Sequence, residues 1–378
     1  MTLRQELDAR GGLESVSAGR VDSLTGIRAV AAILVMLTHA AYTTGKYNLG
    51  YAGLIYSRME IGVPIFFVLS GFLLFSPWVR ASAEGRDGPS VRRYAWHRVR
   101  RIMPAYVITV LAAYLLYHFR TAGPNPGHTW LGLFRNLTLT QIYTDDYLFS
   151  YLHQGLTQMW SLAVEVSFYV ALPVLAWLLL VVLCRRQFRP IRLMVGLTAL
   201  ACITPAYLVL VHTTHWLPDG ARLWLPTYLA WFIGGMMLAV LRETGVQAYA
   251  LVCVPLSIVC YLIASTPIAG APTTSPSELR EGLAKAAFYA VIATLTVAPL
   301  ALGNRGWYPQ LMGSRPMVFL GEISYEIFLI HLVTMELVMV EVLHYPIYTG
   351  SMWWLFVVTL LVTIPLAWLL HRVTRVKT

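Results

Sequence analysis

Ten stretches of about twenty apolar residues recur along this chain, at 23–43, 55–79, 102–119, 157–183, 193–212, 222–241, 248–266, 280–302, 317–342 and 351–371. Each is long enough for a helix to cross a bilayer with its backbone hydrogen bonds closed internally. The fold class that follows is all-α, a polytopic integral membrane bundle of about ten transmembrane helices. Composition agrees: 57% of the 378 residues are hydrophobic and 12% charged, about half the charged share of a soluble domain. The bundle takes in 23–371, between an N-terminal segment 1–22 and a tail 372–378. The first twenty residues are polar and lack the apolar h-region of a signal peptide, so the first span is expected to stay as an anchor.

An even number of spans puts both termini on one side. With the termini inside, segments 1–22, 80–101, 184–192, 242–247, 303–316 and 372–378 carry twenty of the 28 Lys and Arg residues. The outside loops carry four: Lys46, Arg120, Arg135 and Arg280. That is the positive-inside pattern, and it predicts cytoplasmic termini. It also accounts for the net charge of +10 without a nucleic-acid partner. The cysteines Cys184, Cys202, Cys253 and Cys260 have neither CxxC nor zinc-type spacing, so neither a disulfide framework nor a metal is expected. The longest outside loop, 120–156, holds a candidate interfacial helix and then Asp145, Asp146 and His153. The Pro/Ser/Thr-rich stretch 267–279 reads as a mobile outer loop. No internal repeat stands out, which counts against transporters built from duplicated halves.

Ionisable residues inside such spans mark functional sites by default. The first span, DSLTGIRAVAAILVMLTHA, carries Arg28 and His39, eleven residues apart. At 100° per residue both lie on one face, about 16 Å apart along the axis. Glu165 in the fourth span and His331 in the ninth count to roughly the depth of His39, just beyond the midplane. Arg92, Arg93, Arg98, Arg100 and Arg101 cluster just ahead of the third span. Each has a plain structural reading. Arg28 could snorkel to the interface, the histidines and Glu165 could be hydrogen-bonded packing residues, and the arginines could set topology and contact anionic lipid. Ser70, in FFVLSGFLLF, reads as helix packing, and Glu281 with Lys285 as an i,i+4 ion pair. Together they describe a basic vestibule leading to an intramembrane His/Glu site. A histidine suits proton abstraction from a hydroxyl, and clustered arginines suit a phosphate-rich donor.

Five motifs in order resemble the membrane-bound acyltransferase-3 family. They are Arg28 and His39 in the opening helix, GVPIFFVLSGFLL at 62–74, Arg98 and Arg101 in HRVRRIMPAY, WSLAVEVSFY at 160–169, and SYEIFLIH at 324–331. The chain departs from the family pattern at Val166 and Ser167, where a second Glu and a Gln are usual, and at Phe328 in place of Tyr. The resemblance implies transfer of an acyl group, usually acetyl, from acyl-CoA to a hydroxyl of a cell-envelope glycolipid or polysaccharide. It implies a location in a bacterial inner membrane. On it His39 is the catalytic base or proton relay, and Glu165 a supporting carboxylate. Arg28, Arg98 and Arg101, with Arg93 of the same cluster, hold the phosphates of acetyl-CoA. Ser70, Tyr325 and His331 line the site. Within the family, the mycobacterial enzymes that O-acetylate trehalose monomycolate are a finer likeness. No esterase-like domain is expected after the last span, so the bundle is expected to complete the transfer or pass its acyl group to another protein.

Two other classes stay open from the residues alone. A proton-coupled transporter or flippase of an envelope lipid or acidic metabolite would also use intramembrane His and Glu. A scaffold subunit of an envelope-synthesis complex would need none of their chemistry.

Overall fold

The computed structural model describes residues 3–120, 124–145, 152–214, 216–272, 278–303 and 306–375, with side chains from Asp22 onward. Every regular element among them is helical. Helix α1 (Leu3–Thr43) supplies the first crossing, α2 (Gly50–Arg58) with α3 (Gly62–Ala83) the second, and α4 (Val91–Phe119) the third. Short α5 (Trp130–Leu137) follows in the long loop. The fourth crossing enters through a 3-10 turn (Gln154–Met159), runs through α6 (Trp160–Ala176), and leaves as a π-helical segment (Trp177–Leu183). Helices α7 (Pro190–Ala201) and α8 (Ile203–Thr213) make the fifth, α9 (Leu225–Glu243) the sixth, α10 (Ala250–Ala264) the seventh and α11 (Leu279–Ala301) the eighth. A connector, α12 (Trp307–Met312), precedes α13 (Arg315–Glu322) and α14 (Ser324–Leu337), the ninth, and α15 (Met352–Thr374) is the last.

Each expected span has a helical counterpart, but two depart from a simple crossing. Among the described residues eight are long and apolar enough to span alone, while the ninth is bent by 68° between Arg315–Glu322 and Ser324–Val342. Helix α10 has 15 residues, about 22 Å against a hydrocarbon core of ~30 Å. Arg58 accounts for its early end. This buried side chain donates from Nε to the Ala264 carbonyl at 3.0 Å and from Nη2 to that of Ala269 at 2.9 Å, and also bonds the Gly270 carbonyl. It satisfies the last carbonyl of α10 and two carbonyls of the irregular backbone after it, which membrane depth tolerates only when buried or beside a cavity. So the first part of the stretch 267–279 is a clamped turn; residues 273–277 lie outside the described residues.

Helix α1 packs against α3, α12, α13, α14 and α15, and α3 lies closest to α9. That closeness depends on Gly71 and Gly235: a Cβ on either would overlap the carbonyl of Phe232 or of Val68. Small residues at such crossings let membrane helices pack by van der Waals contact, where water supplies no driving force. Phe232 then stacks between Phe67 and Phe168, with ring centroids at 4.3 and 4.1 Å.

The long loop does contain a short helix, α5, with Trp130 and Phe134 exposed. His153 is buried, its Nε2 3.2 Å from His128 Nδ1 and 3.3 Å from Asn125 Nδ2. Burial and the neighbouring His128 push its pKa down to about 3. Asp146 lies outside the described residues.

Candidate active site

The arginine-rich segments 80–101, after the second crossing, and 184–192, after the fourth, lie at one face by the alternation of the crossings, here termed the basic face. Helix α4 starts there. Its i,i+3 spacing brings Arg98 and Arg101 to the same side, where they join Arg28 of α1. The ionisable groups within electrostatic reach of Arg28 are Arg101, Tyr169, Glu165 and Arg98. Glu165 is the carboxylate of the group. It accepts hydrogen bonds on Oε1 from the Ser70 hydroxyl and, at 2.6 Å, from the Tyr169 hydroxyl one helical turn away. The Tyr94 hydroxyl donates to the Tyr169 carbonyl at 3.2 Å, and that of Tyr325 to the Ile102 carbonyl at 3.0 Å. Arg98 Nε is buried with no hydrogen-bond partner among the described residues. Three guanidinium groups thus face one carboxylate, an arrangement with room for added negative charge.

Further along α1, His39 meets His331 of α14 with ring centroids 5.3 Å apart. His331 is 1% exposed and donates from Nδ1 to the Phe328 carbonyl at 2.8 Å. This hydrogen bond assigns the proton to Nδ1 and leaves Nε2 as an acceptor, which has no partner among the described residues. His39 lines a cavity of about 370 Å³ on the side away from the basic face, and Arg28 does not. The size suits a small-molecule headgroup. Trp160, Tyr228, Trp231 and Tyr289 form its aromatic wall, and Thr38, Gln158, Arg58, Glu60, Arg222 and Lys285 contribute polar groups.

Four placements differ from the sequence expectation. Glu165 does not share the depth of the histidines. Gln158 Nε2 donates to the Leu329 carbonyl at 2.9 Å, which sets residue 158 level with the turn before His331. Glu165 follows seven residues later, about 10 Å nearer the basic face. The cause is the 3-10 turn, whose Leu156 and Met159 are already buried, so the crossing begins before Thr157. Ser70 and Tyr325 accordingly sit with the arginines rather than beside His39. The expected Glu281–Lys285 pair does not form. Lys285 Nζ binds Glu60 Oε1 at 2.5 Å, and Glu281 caps the start of α11 through the Glu278 amide. Arg93 is exposed on α4 and is not among the charged neighbours of Arg28.

Gln158 was missed in the sequence. It adjoins the WSLAVEVSFY motif, but counting runs assigns it to a span end rather than to a buried turn. Its Oε1 is buried without a partner among the described residues. Glu326, which had no account in the sequence, accepts from His371 Nδ1 of α15 at 2.9 Å.

A family profile described as an acyltransferase domain matches residues 21–372. The chain belongs to the acyltransferase-3 family. It is a multi-pass membrane protein by the helices described above. It is 29% identical over 247 residues to the acyltransferase MdmB of Streptomyces mycarofaciens, covering 60% of this chain and 59% of that relative. It is 25% identical over 341 residues to the peptidoglycan O-acetyltransferase OatA of Listeria monocytogenes, covering 82% of this chain and 49% of that relative. The chain thus spans about half to three-fifths of the length of these two relatives. No solved structure matches it.

Proposed function

We propose that this protein is an integral-membrane O-acyltransferase. It moves an acyl group, usually acetyl, from acyl-CoA arriving at the basic face to a hydroxyl held in the cavity beyond His39. The observation that carries this reading is the separation of an arginine cluster from a histidine pair along one helix. Acyl-CoA has the same layout, with phosphates at one end of a long flexible arm and the thioester at the other. Arg28, Arg98 and Arg101 bind the phosphates by charge-assisted hydrogen bonds. His39 removes the proton from the acceptor hydroxyl, whose oxygen attacks the thioester carbonyl carbon. The carbon–sulfur bond breaks, the oxygen ester remains on the acceptor, and the proton leaves with the CoA thiol. The His331 ring, fixed by its own hydrogen bond to Phe328, packs against the His39 ring and orients it. Glu165 balances the arginines.

On this reading the basic face is cytoplasmic, as the positive-inside pattern requires, and the cavity opens toward the envelope of a bacterial inner membrane. Its aromatic wall suits the apolar faces of a sugar, so a glycolipid or polysaccharide is the acceptor. Trehalose monomycolate is one such glycolipid, and the name of the Listeria relative supports an envelope polymer as another.

The test uses purified protein in detergent, radiolabelled acetyl-CoA and an envelope-lipid extract, comparing wild type with His39→Ala. Label should enter the lipid phase with wild type and fall by about 10²–10⁴-fold in the variant, the usual worth of a general base. Equal rates would remove His39 from the chemistry. Uptake of unacylated lipid by proteoliposomes without acetyl-CoA would favour a transporter instead.

A further inference from the structure

The cavity holds a cation that the proposed chemistry does not use. Arg222 lies on the 3-10 turn Asp219–Leu223, between α8 and α9. Its neighbours Ala221 and Leu223 are buried. The turn is pinned by the Tyr207 hydroxyl, which donates to the Ala221 carbonyl at 3.1 Å, and by Trp224 Nε1, which donates to the Ile142 carbonyl at 3.3 Å. The guanidinium is therefore presented from a fixed support, with its side chain 21% exposed.

Its charge is poorly matched. Nη1 donates to His212 Nε2 at 2.9 Å, and His212 Nδ1 donates in turn to the Leu208 carbonyl at 2.7 Å. In that arrangement the imidazole is neutral and contributes no counter-charge. The nearest carboxylate oxygen recorded for Arg222 is Asp219 Oδ1, 3.9 Å from Nε, on a side chain 70% exposed. Nε itself has no hydrogen-bond partner among the described residues. The other cavity cations differ: Lys285 binds Glu60, and Arg58 is spent on backbone carbonyls. The acids are engaged elsewhere too, Glu60 by Lys285 and Tyr289, Glu281 by the start of α11, and Glu278 by Arg280.

We propose that Arg222 is the point at which the cavity recognises an anionic group, a phosphate or a carboxylate, on the molecule that enters it. This rests on the reading of the cavity as the acceptor site, and it makes the acceptor an anionic saccharide rather than a neutral one. A guanidinium whose one recorded hydrogen bond, through Nη1, goes to His212 keeps further N–H groups for charge-assisted hydrogen bonds to either oxyanion.

The full-length protein in dodecyl maltoside is titrated with glucose, glucose 6-phosphate and glucuronic acid, following the fluorescence of Trp160 and Trp231 in the cavity wall. Wild type should bind at least one anionic sugar about tenfold or more tighter than glucose, the usual worth of a charge-assisted hydrogen bond. Arg222→Gln should lose that preference while binding glucose as before, and Arg222→Lys should keep part of it. Preference for glucose 6-phosphate alone assigns a phosphate, and for glucuronic acid alone a carboxylate. The arginine cluster at the basic face is common to all three proteins, so the difference between them reports the cavity. Three results overturn the proposal: no binding of any of the sugars, equal binding of neutral and anionic sugars by wild type, or a preference that survives in Arg222→Gln. If Arg222→Gln does not fold, Arg222→Lys decides, since a preference undiminished by loss of the planar fork has the same meaning. Calorimetric titration with acetyl-CoA is run in parallel. An Arg222-dependent anion preference without acetyl-CoA binding keeps this site and sinks the acyltransferase reading.

Discussion

Both ends of the polar track are rich in arginine, and they differ in how that charge is matched. At the basic face Arg28, Arg98 and Arg101 converge on Glu165, itself held by two hydroxyls. In the cavity Lys285 has Glu60, Arg58 has three carbonyls, and Arg222 has only a neutral imidazole and a carboxylate 3.9 Å away. Like charges held close together repel one another, and added negative charge relieves that repulsion. On the reading above, three arginines held together suit a polyanion, and a cavity arginine whose nearest carboxylate oxygen is 3.9 Å away suits a single anionic handle. On the proposed chemistry the first end grips a multiply phosphorylated donor and the second orients an acceptor.

The largest effect should come from the donor end. Replacing Arg98 and Arg101 together by Gln removes two charge-assisted contacts and should weaken acetyl-CoA binding by about a hundredfold or more. Arg93→Gln, at an exposed position outside the cluster, should change it by no more than about fivefold. Calorimetry on the three proteins measures both. Equal losses would mean that the arginines act as a diffuse field, and the contrast between the ends would fail.

Glu165→Gln should act next most strongly, through stability as well as chemistry. It removes the negative charge facing three guanidiniums and loosens the hydrogen bonds from Ser70 and Tyr169. A loss of about 1–3 kcal/mol is expected, read as a lower midpoint of thermal unfolding in detergent. Added adenosine 3′,5′-bisphosphate should restore more of that midpoint in the variant than in wild type, because the ligand supplies the missing charge. An unchanged midpoint would mean that the arginines are already balanced by solvent.

Some of this was legible in the sequence. The 100° periodicity that sets Arg28 and His39 on one face survives folding, because α1 is unbroken between them. Ten apolar runs became ten helical segments, and the loop charges indicated which ends lie together. What failed to read was anything set by contacts between distant elements. Arg58 ends α10 by bonding carbonyls more than 200 positions away, and no local signal carries that. Lys285 had an acid one turn away in Glu281 and chose Glu60, because Glu281 is committed to the backbone at the start of its helix. The depth of Glu165 was misjudged because a buried 3-10 turn is polar enough to resemble a loop. Gln158 and Arg222 were overlooked for a related reason, since each lies where a run of apolar residues begins.

The smallest effect should come from Lys285→Met, and it sharpens the contrast most cleanly. The Lys285–Glu60 contact is short, yet both side chains are about a third exposed, at 32% and 40%. Solvent screening should hold its worth below about 1 kcal/mol. Lys285 also stands 5.6 Å from the centre of the Tyr289 ring, a contact that a methionine partly replaces. Loss of the lysine does not orphan Glu60. The Tyr289 hydroxyl still donates to it at 2.9 Å, and Arg58 remains within electrostatic reach. The unfolding midpoint should therefore move less than in Glu165→Gln, although the ion pair removed is the more obvious one on inspection. The anion preference assigned to Arg222 should fall a few-fold, because Glu60 then faces the cavity with one cation fewer. If Lys285→Met proves as destabilising as Glu165→Gln, the cavity is held together by its charges as tightly as the donor end. The distinction between a gripping end and an orienting end would then have to be abandoned.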